Sequence, residues 1–184
     1  TNFRTSAGAK FMQRFERAFA DEYGVDNAIS FVNGTATMHA ALEAIDLRPG
    51  DEVIVPPLTM TSTTLAVLQA CGTPVYADVD AETFQIDPKK ISELISDKTK
   101  AVITVALFGG APDLQEIRRI CDSKNLILIE DNAECFLGEI DKRRVGTFGD
   151  FASYSFQSSK HLTAGEGGIL LCRDEGHANR VRSI

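Results

Sequence analysis

The feature that most constrains the fold of this chain is a regular alternation of short β-like runs with helix-like segments. The run AVITVALF at 101–108 and the run LILIE at 126–130 are apolar at nearly every position, which is typical of strands covered on both faces of a sheet. Between most runs, apolar side chains recur at helical spacing, which indicates crossover helices and parallel pairing. The predicted fold is therefore α/β, a three-layer αβα sandwich around a mostly parallel seven-stranded sheet.

The strands and helices can be placed along the chain. The predicted strands span residues 28–33, 52–56, 73–79, 100–107, 126–130, 150–156 and 167–172. The predicted helices span residues 10–24, 35–47, 62–72, 87–96 and 113–125. Asp87 is the expected N-cap of its helix and Pro88 the first helical residue. The last two strands are joined by about ten residues without a convincing helix, so we expect them to be antiparallel neighbours.

Composition and charge argue against several classes of function. Lys and Arg number 19 against 26 Asp and Glu, a formal charge of −7, and no basic run interrupts this acidity, so we expect no nucleic-acid partner. The apolar runs are far shorter than the ~18–20 residues that cross a bilayer, so we expect no membrane partner. The four cysteines lack CxxC spacing and the three histidines form no cluster, so we expect no metal site and reduced thiols in a cytoplasmic protein.

Chemically useful residues follow three of the predicted strands, where α/β sheets gather their ligands. The segment NGTAT, residues 33–37, leads from the first strand into a helix. Free N–H groups and the helix dipole at such a start favour an anion, most often a phosphate. The same segment is also compatible with an ordinary N-cap turn.

Acidic residues follow the strand at 126–130. Asp131 comes directly after Glu130, and Glu134 lies three residues further on. A buried acid requires a positive or hydrogen-bonding partner, so Asp131 is a candidate partner for a protonated ring nitrogen or a metal. Asp131 as an N-cap or salt-bridge acid, and Glu134 as a solvated turn residue, are equally compatible with the pattern.

Lys160 follows the strand at 150–156, with small and hydroxyl residues before it and a glycine-rich turn after it. Partial burial disfavours the ammonium form of a lysine, and a neutral amine attacks carbonyl carbon. A solvated loop lysine is the alternative. Together the three strand ends offer an anion cradle, a carboxylate and an amine, which is the trio that pyridoxal phosphate requires. The GxxxxGKS/T loop of an ATP site and the GxGxxG turn of a dinucleotide site are both missing from the sequence.

Six segments of the chain, covering nearly its whole length, resemble those of nucleotide-sugar aminotransferases of the DegT/StrS type. These are pyridoxal-phosphate enzymes of fold type I. The segments are NGTATMHAAL (33–42), GDEVIVPPLTMTST (50–63), DVDAETFQID (78–87), LFGGAPDL (107–114), IEDNAECFLG (129–138) and GTFGDFASYSFQSSKHLTAGEGG (146–168).

This resemblance implies a role for each matching residue. Lys160 is expected to bond covalently to the cofactor aldehyde and to shuttle the proton, and Asp131 to pair with the pyridine nitrogen. The turn Gly34, Thr35 and Ala36 is expected to hold the phosphate of pyridoxal 5'-phosphate, with Ser155 adding its hydroxyl. Glu134 is expected near the cofactor ring, where the family often has Gln.

Two positions depart from the family pattern. Met60 stands where an aromatic side chain commonly stacks on the ring, and Ala106 stands where a histidine is common. A methionine packs against the ring without aromatic stacking. These departures bear on the choice of substrate more than on the chemistry.

The resemblance also implies a domain and an assembly. Residues 1–184 correspond to the PLP-binding large domain, and we expect the chain to be a fragment that lacks an N-terminal segment and the small C-terminal domain. The family forms homodimers that complete the active site with residues beyond position 184.

The implied activity is transfer of an amino group from glutamate or glutamine to a keto-sugar, usually one linked to a nucleotide. A PLP-dependent sugar dehydratase is an alternative, although those enzymes replace the lysine with histidine and only the adjacent His161 could serve. The sequence is also compatible with a non-catalytic PLP-binding regulatory module and with a plain α/β ligand-binding protein that lacks the cofactor.

Overall fold

A computed structural model describes residues 10–184, and the first nine residues of the predicted domain lie outside the described part. Six α-helices are present in that part: α1 Lys10–Tyr23, α2 Gly34–Ala44, α3 Thr61–Gln69, α4 Pro88–Leu94, α5 Leu114–Lys124 and α6 Glu175–Ser183. The strands are β1 Asn27–Phe31, β2 Glu52–Val55, β3 Thr73–Tyr76, β4 Thr99–Val105, β5 Ile127–Asp131, β6 Glu139–Ile140, β7 Arg143–Arg144, β8 Phe151–Ser155 and β9 Gly168–Cys172.

Seven of these strands form one sheet in the order β1-β9-β8-β5-β4-β2-β3. The pairs β2–β3, β2–β4, β4–β5 and β5–β8 are parallel. Strand β9 runs antiparallel to both of its neighbours, β8 and β1. The prediction of a mostly parallel seven-stranded sheet is thus confirmed, as is the antiparallel pairing of the last two strands.

Alternate side chains of the central strands enter two different cores, which makes the sandwich three-layered. Ile103 and Ile129 pack into a cluster with side chains of α2, α3 and α6. Their neighbours Val102 and Leu128 pack on the other face with α4 and α5. All four side chains are fully buried, which explains the continuous apolar runs in the sequence, since both faces of the sheet are covered.

A small β6–β7 hairpin was not predicted from the sequence. Its turn residues Asp141 and Lys142 have φ values of 50° and 67°, as in the two-residue turns that suit the twist of paired strands. The segment is polar and lacks the glycine or asparagine that normally signals such a turn. Its pairing is therefore invisible to periodicity.

Local capping explains where several helices begin and end. Asp87 caps α4 as predicted, because its side chain accepts a hydrogen bond from the Lys89 N–H. Helix α2 ends at Ala44, before the predicted boundary at 47.

The cysteines are free thiols; Cys71 is exposed and the other three are buried. Within residues 10–184, no helix has the length and apolar content required to span a bilayer.

Candidate active site

A cleft of about 370 Å³ lies at the carboxyl ends of the parallel strands. It is bordered by the segments that follow β1, β2, β4, β5 and β8, which end at the same edge of the sheet. Seven of the eight predicted site residues line it: Gly34, Thr35, Met60, Asp131, Glu134, Ser155 and Lys160. The parallel sheet therefore brings together side chains that are more than one hundred residues apart in the sequence, as predicted from the strand ends.

The first turn of α2 forms one wall of the cleft. Asn33 is extended and caps the helix, since its Oδ1 accepts a hydrogen bond of 2.8 Å from the Ala36 N–H. The predicted cradle residue Ala36 thus has its N–H engaged within the turn. The N–H groups of Gly34 and Thr35 precede any intrahelical acceptor, so these two are the donors that the turn offers to an anion.

Close packing brings this turn next to Ser155 at the end of β8. A Cβ atom on Gly34 would lie 3.0 Å from the Ser155 Cβ. Glycine at this position therefore allows the helix start to approach the strand end closely. Gly34, Thr35 and Ser155 consequently all border the cleft.

Asp131, the last residue of β5, forms the floor of the cleft. It is 4% exposed, and its carboxylate accepts hydrogen bonds of 3.2 Å from Thr63 Oγ1 and from the Ala133 N–H. Burial raises the pKa of Asp131 above its ordinary value, although Ala133, Thr63 and the nearby Lys160 partly oppose the shift. None of the ion pairs found within residues 10–184 involves Asp131, so this buried acid can still accept a positively charged donor from a ligand.

Glu130, next to Asp131, has a structural role that was not predicted from the sequence. Its fully buried carboxylate accepts hydrogen bonds of 2.6 Å from the Gly146 N–H and 2.8 Å from the Phe148 N–H, and a third from the Gly149 N–H. Burial raises the pKa of Glu130 to about 7 in spite of these donors. Glu130 therefore fixes the loop before β8, and β8 leads to Ser155 and Lys160.

Lys160 projects into the cleft from the turn after β8, and its side chain is 20% exposed. Its Nζ lies 3.2 Å from Oε1 of Glu134, whose Oε2 accepts a hydrogen bond of 3.0 Å from the Phe108 N–H. Burial opposes ionisation of Glu134, but the Phe108 N–H and the Lys160 ammonium outweigh it and hold the pKa of Glu134 below its ordinary value. Lys160 is thus a partly buried amine with a carboxylate partner, not a solvated loop lysine.

Two further positions bear on the predictions from the sequence. Met60 lines the cleft at the start of α3 and is 70% exposed, so its side chain is free to pack against a bound ring. His161 is exposed and is not among the residues that line the cleft within the described part of the chain. Thr63, the hydroxyl donor to Asp131, was missed because it is one of four successive hydroxyl residues at the start of α3, and the sequence carries no signal of which one has a buried partner.

Comparisons with known proteins agree with this geometry. A sequence model of the DegT/DnrJ/EryC1/StrS aminotransferase family matches residues 2–184. GDP-perosamine synthase of Caulobacter vibrioides is 40% identical over 184 residues, which are 100% of this chain and 49% of that protein. This chain therefore spans about half the length of the relative that it matches.

Two solved structures share the fold. NtdA from Bacillus subtilis with bound cofactor PMP matches with a TM-score of 0.89 and 32% identity, over 95% of this chain and 39% of that chain. DesI in the presence of its TDP-sugar product also matches with a TM-score of 0.89 and 32% identity, over 96% of this chain and 44% of that chain.

Proposed function

This chain belongs to the DegT/DnrJ/EryC1/StrS aminotransferase family, and from that premise we propose that it is the cofactor-binding large domain of a sugar aminotransferase. The cofactor is pyridoxal 5'-phosphate, and the reaction transfers an amino group from glutamate or glutamine to a keto-sugar. The observation that carries the proposal is the meeting of Lys160, Asp131 and the first turn of α2 in one cleft.

The residues present fit pyridoxal phosphate. The N–H groups of Gly34 and Thr35, with the Ser155 hydroxyl, supply donors for the phosphate. Asp131 is buried without an ion-pair partner among the described residues, which suits a protonated pyridine nitrogen. When bound, the cofactor supplies an aldehyde that condenses with a primary amine, with loss of water, and a ring that accepts electrons.

Each side chain of the cleft has a definite task in this proposal. Lys160 would supply the amine that holds the cofactor, and its free amine would serve as the group that moves the proton. Asp131 holds the proton of the ring nitrogen, which a neutral side chain at that position could not do as well. Met60, whose side chain is exposed, would pack against the ring, and Glu134 accepts a hydrogen bond from the Lys160 ammonium.

The charge of the cleft bears on the rest of the active site. Three acids, Asp131, Glu134 and Glu166, line it, whereas Lys160 is the one cation among the described residues that do so. The carboxylate of an amino-acid donor and the phosphates of a nucleotide-linked sugar require further cations. We therefore propose that those cations come from outside the described residues, for example from a second subunit of a homodimer.

The sugar substrate is proposed from the relatives. The solved DesI structure is described with a TDP-sugar product, and a nucleotide-linked keto-sugar is the acceptor that we propose here. Lys160 lies in the cleft and His161 is exposed, so the geometry favours amino transfer over the lysine-independent dehydration considered from the sequence.

Covalent trapping tests the proposal. Incubation with pyridoxal phosphate followed by borohydride should attach one pyridoxyl phosphate to the peptide that contains Lys160, as measured by mass spectrometry. Lys160→Ala should abolish the adduct, while Lys124→Ala, at an exposed lysine of α5, should leave it unchanged. An adduct that persists in Lys160→Ala, or that forms on other lysines of the wild-type chain, would overturn the proposal.

A further inference from the structure

A pair of buried hydroxyl groups joins β8 to the first turn of α2, directly behind the cleft. Thr37 Oγ1 and Ser153 Oγ lie 2.6 Å apart, and both side chains are 0% exposed. Both hydroxyls also contact the Gly34 carbonyl oxygen, Thr37 at 2.6 Å and Ser153 at 3.3 Å. Neither Thr37 nor Ser153 is among the described residues that line the cleft, and the direct link of both hydroxyls to the cleft is the carbonyl of Gly34.

The count of protons decides how this pair is arranged. Each hydroxyl has one proton to donate, and the three contacts share two protons. The short contact from Thr37 to the Gly34 carbonyl uses the proton of Thr37. Ser153 then donates to Thr37 and, more weakly, to the same carbonyl. The Gly34 oxygen is therefore held from the side of the sheet by both side chains.

Holding this carbonyl oxygen also orients the Thr35 N–H. The carbonyl of Gly34 and the N–H of Thr35 belong to one planar trans peptide unit, so the N–H points away from the oxygen that is held. Thr35 lines the cleft. In addition, a carbonyl that accepts hydrogen bonds polarises its peptide unit and makes the N–H at the other end a stronger donor.

The packing around this peptide leaves little room for adjustment. A Cβ atom on Gly168 of β9 would lie 2.4 Å from the Asn33 carbonyl oxygen and 2.9 Å from the Gly34 nitrogen. The backbone of β9 thus presses on the same turn that Ser153 and Thr37 hold from β8. The strand β9 therefore limits the position of the turn from one side, and the hydroxyl pair holds the Gly34 carbonyl from the other.

We propose that Ser153 and Thr37 are positioning residues that aim the Thr35 N–H at the cofactor phosphate. The proposal rests on the proposed function, and it assigns the pair an effect on the phosphate alone. Loss of a hydroxyl should therefore weaken binding of pyridoxal phosphate and leave binding of pyridoxal, which has no phosphate, nearly unchanged.

Comparison of the two vitamers tests this proposal. The dissociation constants of pyridoxal phosphate and pyridoxal are measured by absorbance titration for the wild-type chain, Ser153→Ala, Thr37→Val and Thr37→Ser. Ser153→Ala and Thr37→Val should each lower the affinity for pyridoxal phosphate about three- to tenfold and change that for pyridoxal less than about twofold. Thr37→Ser, which keeps the hydroxyl, should restore the wild-type ratio of the two affinities. Inorganic phosphate should compete less well in the two hydroxyl-deficient variants.

The outcomes separate this proposal from the proposed function. Equal losses for both vitamers, or no loss for either, would overturn the positioning role while borohydride trapping at Lys160 still supports the cofactor site. Should Thr37→Val not fold, Ser153→Ala, which removes a single oxygen atom, decides the question by the same ratio. Failure to trap pyridoxal phosphate on Lys160 in the wild-type chain would overturn both proposals.

Discussion

Replacement of Thr63 by Val tests how the fold supports the buried Asp131 carboxyl group at the floor of the cleft. Thr63 is fully buried, and its hydroxyl is one of two groups that donate to the Asp131 carboxylate, at 3.2 Å. Valine has nearly the same shape, so the variant loses the hydroxyl without leaving a cavity. The Thr59 hydroxyl lies 3.0 Å from the Thr63 hydroxyl, but Thr59 is only half-buried, so in the variant its hydroxyl can form a hydrogen bond with water instead.

The expected loss of stability follows from the charge of the acceptor. A hydrogen bond to a charged group contributes about 1.5–3 kcal/mol, and a length of 3.2 Å favours the lower part of that range. We expect the free energy of unfolding of the cofactor-free chain to fall by about 1.5–2 kcal/mol at pH 7. With a urea slope of about 2 kcal/mol per molar, the midpoint of unfolding falls by about 0.8–1 M.

The loss should depend on pH in a defined direction. Burial raises the pKa of Asp131 in the folded chain, so its stabilising contribution is complete below the unfolded pKa of about 3.9 and is lost as pH rises through the folded pKa. Removing the Thr63 donor raises the pKa of Asp131 further. The variant therefore loses more stability than the wild type as pH rises, and its deficit in the free energy of unfolding grows above about pH 4.

Urea unfolding followed by circular dichroism at several pH values measures this deficit. Thr63→Ser is the matched control, because it keeps the hydroxyl and loses one methyl group, for a cost of about 1 kcal/mol that is independent of pH. A Thr63→Val chain as stable as the wild type at pH 7, or one whose deficit does not change with pH, would refute the reasoning.

Three further substitutions probe the framework of the cleft, each measured by urea unfolding. Gly168→Ala places a Cβ 2.4 Å from the Asn33 carbonyl oxygen, so it should lower the free energy of unfolding by about 1–3 kcal/mol and weaken binding of pyridoxal phosphate. Gly167→Ala is the control, because the nearest contact of its Cβ is at 3.4 Å. Equal effects of the two substitutions would show that the close contact of Gly168 with the turn is not the cause. Burial raises the pKa of Glu130 to about 7 in the folded chain. Protonated Glu130 therefore contributes about 3 kcal/mol or less to the stability of the fold; this contribution is complete below about pH 4.5 and is lost as pH rises through 7. Glu130→Gln removes that titration, so wild-type stability should fall relative to the variant between pH 5 and pH 8, and a constant difference would count against it. Glu134→Gln removes an ion pair whose side chains are a fifth to a third exposed, so it should change stability by less than about 1 kcal/mol, and a loss above about 2 kcal/mol would show that the pair matters more than its exposure indicates.

Local patterns of residues along the chain were enough to predict the layered fold and the edge of the sheet at which the site lies. Continuous apolar runs specify strands buried on both faces, and helices between them specify parallel pairing, so the ends of β5 and β8 must lie at one edge. Lys160 and Asp131 were predicted to lie in one site because each follows a predicted strand, and the ends of these strands could be recognised from the neighbouring residues.

Only the tertiary structure identifies the groups that hold those residues and the direction in which their pKa values shift. The Thr63 hydroxyl under Asp131, the three N–H donors around Glu130 and the hydroxyl pair of Ser153 and Thr37 each join residues far apart in the sequence. The sequence identifies each polar side chain but does not identify its hydrogen-bond partner. Burial, the distance to that partner and the resulting shift in pKa arise only once the helices and the sheet pack together.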